Sequence, residues 1–294
     1  MTVIVAALGW SWRETEVDPL TGEVSADRRD RGPNSSELAA LEHALRLAEL
    51  WDARVVAVTV GPAEADAMLR DALAVGAAQA LRVEPASWTA GPRPAGLVGG
   101  EQESAAALAV ALRQHYGVPD LVLCGDRSAD RATGSFPAFL AASLSAAQAL
   151  GVVRLEPGDG RALRLHRRLD GGRREVLMVR PPAVVSVEAA GVRLRRAGLP
   201  ATLASDKAAI TVARAPVAAA ARRIRVLGAR PYRPRPRELP GPTGTALRRT
   251  LELTGALVQR TPPTVVGPLP PDQAASELLA YLRRHGYLAT GDAE

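Results

Sequence analysis

The sequence predicts an α/β fold in which a mostly parallel sheet carries flanking helices, an added β-hairpin and an extended C-terminal arm. Three observations support this prediction. Short apolar runs alternate with longer helical patterns as far as residue 150, as expected of strands joined by helical crossovers. A glycine-containing turn then separates two short strand patterns, and a proline-rich stretch begins near residue 215.

The first half of the chain contains four predicted strands, at residues 3–8, 54–60, 80–83 and 120–124. Between them lie three predicted helices whose apolar residues recur every three or four positions, at residues 36–50, 63–75 and 103–116. Because this alternation implies right-handed crossovers, the sheet is predicted to be mostly parallel and Rossmann-like. Its ligand is expected beyond the carboxyl ends of the strands, where the loops after the first, second and fourth strands meet.

The second half of the chain has a different pattern. Three short strands are predicted at residues 161–169, 175–179 and 183–188, and Asp170-Gly171-Gly172 joins the first two as a hairpin. They complete a predicted nucleotide-binding domain, residues 1–214. A Pro-rich linker and two helical stretches, residues 245–257 and 272–287, make up the predicted arm, residues 215–294. With little apolar material for a core of its own, the arm is expected to pack on the main domain or on a partner subunit.

The loop at residues 124–137, CGDRSADRATGSFP, carries the clearest functional signal. It connects the fourth strand to a predicted helix at residues 138–150, and the free N–H groups and dipole of a helix start favour a phosphate. Glycines let the backbone approach a ligand closely and hydroxyls can hydrogen-bond it; the residues concerned are Gly125, Gly134, Ser128, Thr133 and Ser135. The alternative interpretation is an ordinary strand-to-helix turn capped by Asp130 or Thr133, since the loop matches neither a P-loop nor GxGxxG.

The composition argues against several classes of protein. The net charge is +6, but the positive residues are almost all arginines, scattered among acidic residues, with Lys207 the only lysine. The densest basic run, residues 222–237, is proline-rich and lies outside the predicted core, so nucleic-acid binding is not predicted. No apolar window approaches the length of a membrane span and the N-terminus lacks a signal-peptide pattern. We therefore expect a cytoplasmic protein without membrane insertion.

No catalytic or metal-binding group stands out. The four histidines, His43, His115, His166 and His285, are isolated from one another and from other metal ligands at usable spacing. GxSxG, HExxH and a carboxylate pair suited to acid–base work are all missing. The single cysteine, Cys124, ends a predicted buried strand and is expected to be an inert core thiol. The sequence therefore predicts a binder or carrier rather than an enzyme, with no metal.

Four segments, in order and with fitting spacing, together resemble the beta (small) subunit of electron transfer flavoprotein, of which the chain would be a divergent member. Residues 58–77 contain VTVGP and LRDALAVGA, similar to the family's "LR-ALAMGAD" helix. Residues 120–134 are similar to its "DLVL-GK-A-DGDTGQ" nucleotide loop, and residues 167–186 to its "DGG-E" and "LPAVVT" signature. Residues 195–207 align with "PRY-LP---AKKK". The resemblance covers roughly residues 1–210.

The resemblance implies a structural AMP in this subunit. Its phosphate would lie on the loop at residues 125–134 and its adenosine near the first strand, the start of the first helix and the end of the second strand. Since Asp126 stands where the family has a lysine, Arg127 or Arg131 would have to supply the positive charge. The cofactor-binding residues carried over are Ala6, Asn34, Ser35, Ser36, Glu37, Val60, Gly125, Arg127, Ser128, Asp130, Arg131, Thr133, Gly134 and Ser135.

The resemblance also implies partners. In the family the beta subunit pairs with an alpha subunit that holds the redox-active FAD, and the heterodimer passes electrons from a flavin dehydrogenase to a quinone reductase or another acceptor. Some members hold a second FAD in place of AMP and split electron pairs, which the loop leaves open. Trp10 or Trp12 would face the flavin.

The family's partner-docking loop falls on residues 191–200, including Arg195, Leu199 and Pro200. Leu199 would be its protruding anchor; the alternative interpretation is a core residue at a helix start. The family's lysine cluster after this loop is reduced to Lys207 beside Asp206, which indicates a specialised partner.

Two other functions remain open at this point. A free-standing nucleotide-binding regulatory module, such as an ATP or AMP sensor, could use the same strand-loop-helix site. Such a sensor would have no role for the arginine-bearing docking loop or for the long arm after residue 215. A hydrolase or synthetase on the same fold is disfavoured because catalytic groups are missing.

Overall fold

The computed structural model describes residues 2–14, 16–18, 20–21, 23–25, 27, 30–85, 100–130, 132–215, 241–256 and 263–288. The chain divides into two compact units, Met1–Tyr232 and Arg233–Glu294. The Pro-rich linker was predicted at residues 215–243, and residues 216–240 of it lie outside the described residues, so the domain boundary at residue 215 stays a prediction.

Nine strands of the described residues form one sheet. They are β1 (Val3–Ala7), β2 (Arg54–Val60), β3 (Gln79–Pro85), β4 (Leu121–Gly125), β5 (Ala147–Pro157), β6 (Leu163–Arg168), β7 (Arg174–Val179), β8 (Ala183–Val187) and β9 (Thr211–Ala215). Their order across the sheet is β7-β6-β5-β8-β4-β1-β2-β3-β9. All neighbours from β5 to β9 in this order are parallel, whereas β6 pairs antiparallel with β5 and β7. The predicted mostly parallel sheet with an added hairpin is confirmed.

The centre of the sheet is buried on both faces. In β1, Ile4 and Ala6 join the core on one face, and Val3, Val5 and Ala7 join the core on the other. Strands covered on both sides consist of nearly continuous apolar residues, which is why the apolar runs of β1, β2 and β4 predicted them.

Helices cover both faces of the sheet. On one face lie α1 (Ser35–Trp51) and α2 (Asp66–Ala74), and on the other lie α3 (Glu101–Tyr116) and α4 (Phe136–Leu144). A further helix, α5 (Leu199–Asp206), contacts α2. The three helices predicted in the first half of the chain are confirmed within a few residues.

The predicted helix at residues 138–150 is wrong in its second part. Helix α4 ends before Ser145, whose φ of 56° is left-handed, and Ala147 begins strand β5. Alanine and leucine favour a helix locally, but residues 147–157 fill the place between β6 and β8, and the pairing on both sides decides their structure. After residue 198 the chain forms α5 and β9, and β9 pairs with β3 at the edge of the sheet.

The C-terminal unit contains two described helices, α6 (Ala246–Leu253) and α7 (Pro271–Arg284), which confirms helix formation in both predicted stretches. Neither helix has a buried residue, and α6 exposes Leu247 and Leu253. The packing of the C-terminal arm on a partner subunit stays a prediction. Across the described part of the chain, the helices are all too short or too polar to cross a membrane.

Candidate nucleotide site

A cavity opens at the carboxyl ends of β1, β2 and β4. Strands β3, β2, β1 and β4 are neighbours in this order across the sheet. From β1 the chain therefore continues to β2 and β3 on one side, and it later returns to the other side of β1 to form β4. Ligands of doubly wound sheets bind at this reversal point. The wall consists of residues just after β1, the end of β2, the loop after β4, and the first turns of α1 and α3. The sequence predicted this meeting of loops, and the structure confirms it.

Eight of the predicted cofactor-binding residues line the cavity: Glu37, Val60, Gly125, Arg127, Ser128, Asp130, Thr133 and Gly134. Ala6 is fully buried in the core, and Ser35 is exposed at the start of α1. Arg131 lies outside the described residues. Whether the lining residues bind AMP stays a prediction.

Asn34 caps α1 and joins it to the loop after β4. Its Oδ1 accepts hydrogen bonds from the N–H groups of Ser36 (2.9 Å) and Glu37 (3.0 Å), and its own N–H donates to Glu37 Oε2 at 2.8 Å, forming a capping box. Its Nδ2 donates to the carbonyl of Arg127 at 2.7 Å. Both polar groups of the Asn34 side chain are therefore bonded within the protein, and neither Asn34 nor Ser36 is among the residues that line the cavity.

Two glycines of the loop are required by contacts within the protein. A Cβ at Gly125 would lie 2.6 Å from Ser36 Oγ and 2.7 Å from Glu37 Cγ, because the start of α1 packs directly on the end of β4. A Cβ at Gly134 would lie 2.4 Å from the carbonyl oxygen of Asp126. Packing within the protein therefore requires glycine at both positions, and the close approach of a ligand to them stays a prediction.

Glu37 is a buried carboxyl group in the wall of the cavity. The pKa of Glu37 is raised to about 7, mainly by burial and to a smaller extent by the carboxylates of Asp130 and Asp126. Hydrogen bonds from the N–H groups of Asn34 and Gly9 favour the charged form and offset part of this rise. The site therefore contains a group that changes charge near neutral pH.

The loop after β4 folds on itself. The N–H of Ser128 donates to the carbonyl of Thr133 at 2.8 Å, and the Ser128 hydroxyl donates to Asp130. Arg127 lies 3.6 Å from Asp126, and its side chain is 69% exposed. Arg127 is therefore a loosely held guanidinium that can reach an anion in the cavity.

Glu101, at the start of α3, is a residue of the site that the sequence analysis missed. Its carboxylate accepts hydrogen bonds from the N–H of Ser135 at 3.0 Å and from the hydroxyls of Ser135 and Thr133. These two hydroxyls were expected to face a ligand, but they are occupied by Glu101. No spacing or motif could have revealed this contact, since only the fold brings α3 next to the loop.

The aromatic and thiol groups near the site differ in position. Trp10 lines the cavity. Trp12 lies elsewhere, with the guanidinium carbon of Arg31 3.7 Å from its ring centroid. Cys124 is buried in the wall, and burial raises the pKa of its thiol, as expected of an inert cysteine. A flavin-facing role for either tryptophan stays a prediction.

Arg195 holds the proposed docking loop on α1. Its backbone N–H and Nε both donate to Glu42 Oε2 at 3.0 Å, and its Nη1 donates to Glu49. Burial alone would raise the pKa of Glu42, but hydrogen bonds from Arg195 and Arg46 outweigh it and hold that pKa below its ordinary value. Arg195 is thus engaged within the chain and anchors the loop on α1, and its contact with a partner stays a prediction.

Leu199 is presented to solvent. Its side chain is 71% exposed at the first position of α5, and Leu203, one turn later, is 57% exposed. The alternative interpretation of Leu199 as a core residue is therefore wrong. Pro200 is also exposed. Within the described ranges, no group of three or more His, Cys, Asp or Glu side chains is arranged to hold a metal.

The fold and the position of the cavity define a Rossmann-like α/β protein. Comparison with protein families is more specific: residues 22–218 match the model of the electron transfer flavoprotein domain. The chain belongs to the electron transfer flavoprotein family, as a divergent relative of its beta subunits.

Several curated proteins are similar to the chain at low identity. Protein FixA of Azorhizobium caulinodans is 28% identical over 68% of this chain and 69% of the relative. An electron transfer flavoprotein subunit beta of Thermoanaerobacterium thermosaccharolyticum is 27% identical over 59% and 62%, respectively. Another of the same name, from Methylophilus methylotrophus, is 32% identical over 51% and 54%. The chain thus spans between about half and seven tenths of the length of these relatives.

Proposed function

We propose that this chain is the beta subunit of an electron transfer flavoprotein, paired with an FAD-carrying alpha subunit. The observation that carries the proposal is the cavity at the reversal point of the sheet, and most of its lining residues lie within the segment matched to the family, residues 22–218. The name "subunit beta" of two relatives supports the existence of a partner subunit.

The ligand proposed for the cavity is AMP, with a structural role. The apolar side chains of Val58, Val60 and Leu108 suit a flat base, and Arg127 together with the start of α4 suits a phosphate. Around that end stand the carboxyl groups of Asp126, Asp130 and Glu101, so Arg127 is the described cation that offsets them. The residues present therefore fit an adenine nucleotide with a single phosphate better than one with a long anionic tail.

The proposed role is that of a carrier subunit. FAD bound by the alpha subunit would supply the redox chemistry. This chain would position the flavin-bearing partner, hold AMP, and present α5 with Leu199 to a donor dehydrogenase. The acceptor would be a quinone reductase or a comparable protein.

Native co-purification tests the proposal. The chain is co-expressed with a candidate alpha subunit, the complex is isolated, and the nucleotides released by denaturation are identified and counted. We expect a stable heterodimer with one FAD and one AMP. Two FAD per heterodimer would place a second flavin in the beta-subunit site. A nucleotide-loaded chain without partner or flavin would contradict the proposal and support the regulatory module.

A further inference from the structure

The carboxylate of Glu101, in the wall of the cavity, is bound by the loop after β4. Oε1 accepts a hydrogen bond from the Thr133 hydroxyl, and Oε2 accepts hydrogen bonds from the Ser135 hydroxyl and from the Ser135 N–H, the last at 3.0 Å. Three donors therefore converge on one carboxylate, and such a set of donors also suits an anion such as a phosphate. In this chain an anion of the protein itself already occupies the set.

The contact between Glu101 and the loop is exposed enough to be exchanged for another. Thr133 and Ser135 are both exposed, and Glu101 is half-buried. Ser135 immediately precedes α4, yet its side chain makes no capping hydrogen bond to that helix. Water competes for exposed donors and acceptors, so their hydrogen bonds contribute little net stability. Replacing the Glu101 carboxylate by another anion would therefore cost the fold little.

Glu101 also adds negative charge where the phosphate of the proposed ligand would lie. The carboxyl group of Asp130 lines the same cavity, and the Arg127 guanidinium beside it is 69% exposed. Two anions cannot bind the same three donors at once, and a phosphate and a carboxylate in contact repel each other. A nucleotide can therefore use Thr133 and Ser135 only after Glu101 has left them.

We propose that Glu101 is a specificity-determining residue whose carboxylate competes with the phosphate of the ligand for Thr133 and Ser135. The competition weakens the binding of a nucleoside monophosphate and leaves the uncharged nucleoside unaffected, because only the monophosphate carries a second anion. Glu101 holds the loop while the cavity is empty and is displaced when the phosphate binds. The inference rests on the proposed function, because the ligand is the proposed AMP, whose phosphate would lie at the start of α4.

Glu101→Gln tests the inference, because glutamine keeps the size of the side chain and removes its charge. Binding of AMP and of adenosine to the full chain is measured by calorimetry after bound nucleotide has been removed. We expect the Kd of AMP to fall about tenfold and the Kd of adenosine to stay within about twofold of the wild-type value. Glu103→Gln is the matched control, since it removes the same charge from the same turn of α3, at a residue that is not among those lining the cavity. Its affinities should stay close to those of the wild type.

Hydrogen exchange separates competition for the donors from a general effect of charge. In the wild type without ligand, Glu101 binds the N–H of Ser135, so the backbone at residues 133–135 should exchange severalfold faster in Glu101→Gln. With saturating AMP the two proteins should exchange equally, because the phosphate then binds the same donors. Glu103→Gln should exchange like the wild type in both states.

The outcomes distinguish this inference from the proposed function. Equal or weaker binding of AMP by Glu101→Gln, with adenosine bound as in the wild type, would overturn the competition and leave the AMP assignment intact. The competition is also overturned if Glu103→Gln gains the same affinity or if exchange in Glu101→Gln is unchanged, because the effect would then be one of charge alone. If neither the wild type nor Glu101→Gln binds AMP or adenosine, the AMP assignment and the inference both fail.

Discussion

Glu37 makes the stability of this protein depend on pH near neutrality. Its pKa is raised by burial from an ordinary 4.5 to about 7, so between these values the folded protein holds a proton that the unfolded chain releases. Stability must therefore fall as the pH rises from about 4.5 to 7. The shift corresponds to a loss on the order of 3 kcal/mol in the free energy of unfolding.

Glu37→Gln tests this prediction. Glutamine mimics the protonated acid and can keep the capping hydrogen bond, so the variant should lose less stability than the wild type between pH 5 and pH 8. The melting temperature of both proteins is followed across that range. Glu64→Gln, at an exposed position of the same protein, is the control and should follow the wild-type profile. Parallel profiles for Glu37→Gln and wild type would contradict the assignment.

Many residues of the site could be predicted from the sequence one by one. The residues that they contact within the folded protein could not. Gly125, Thr133 and Gly134 were predicted from the loop and do line the cavity. The requirement for glycine at Gly125, however, comes from α1, and the partner of Thr133 is Glu101, far away in the sequence. Contacts of this kind depend on the packing of helices against loops, and no local pattern of residues contains them.

At the scale of elements, the anchored loop and α5 act together. Arg195 fixes residues 191–198 on α1, and the exposed Leu199 follows directly in α5. The side chain of Glu42 is only 5% exposed. Without Arg195, Arg46 would be its remaining ion-pair partner among the described residues. A buried carboxylate that loses a partner destabilises the fold.

Arg195→Ala should therefore lower the free energy of unfolding by about 1–2 kcal/mol, a value reduced for the partial exposure of the arginine. Urea denaturation measures the change, and the exposed neighbour Arg196→Ala should have almost no effect. Equal stability for Arg195→Ala and Arg196→Ala would contradict the anchoring role of Arg195.

Leu199→Ala should behave in the opposite way. The free energy of unfolding should stay unchanged because the exposed side chain buries little apolar area, but electron transfer from the donor should slow.

The elements themselves were predictable wherever burial left a clear pattern. Strands β1, β2 and β4 are covered on both faces, and their unbroken apolar runs identified them. Strand β5 was mistaken for the end of a helix because its first residues, AQAL, have the composition of one. Its strand structure is decided by β6 and β8, which follow it in the chain, so the information is not local.

At the scale of the whole molecule, the C-terminal unit is where association with a partner can be tested. Its two described helices bury none of their residues, and α6 exposes Leu247, while α7 exposes Leu278. Exposure of leucines to water is energetically unfavourable, and exposed leucines on amphipathic helices are typical of surfaces that another chain covers. The arm is therefore predicted to contribute to pairing with the alpha subunit.

Leu247→Gln separates a role in pairing from a role in folding. Leu247 is 71% exposed, so the substitution loses little burial within the chain, and the melting temperature of the isolated chain should stay within about 1 °C of the wild type. If the alpha subunit covers this leucine, the Kd of the heterodimer should rise about tenfold, as expected for loss of a buried leucine at an interface. Arg249→Gln, on the same helix, should pair almost normally, because an exposed charge at the edge of an interface contributes little. Analytical ultracentrifugation of each variant with the alpha subunit measures the Kd, and wild-type affinity for Leu247→Gln would show that pairing does not involve this face of α6.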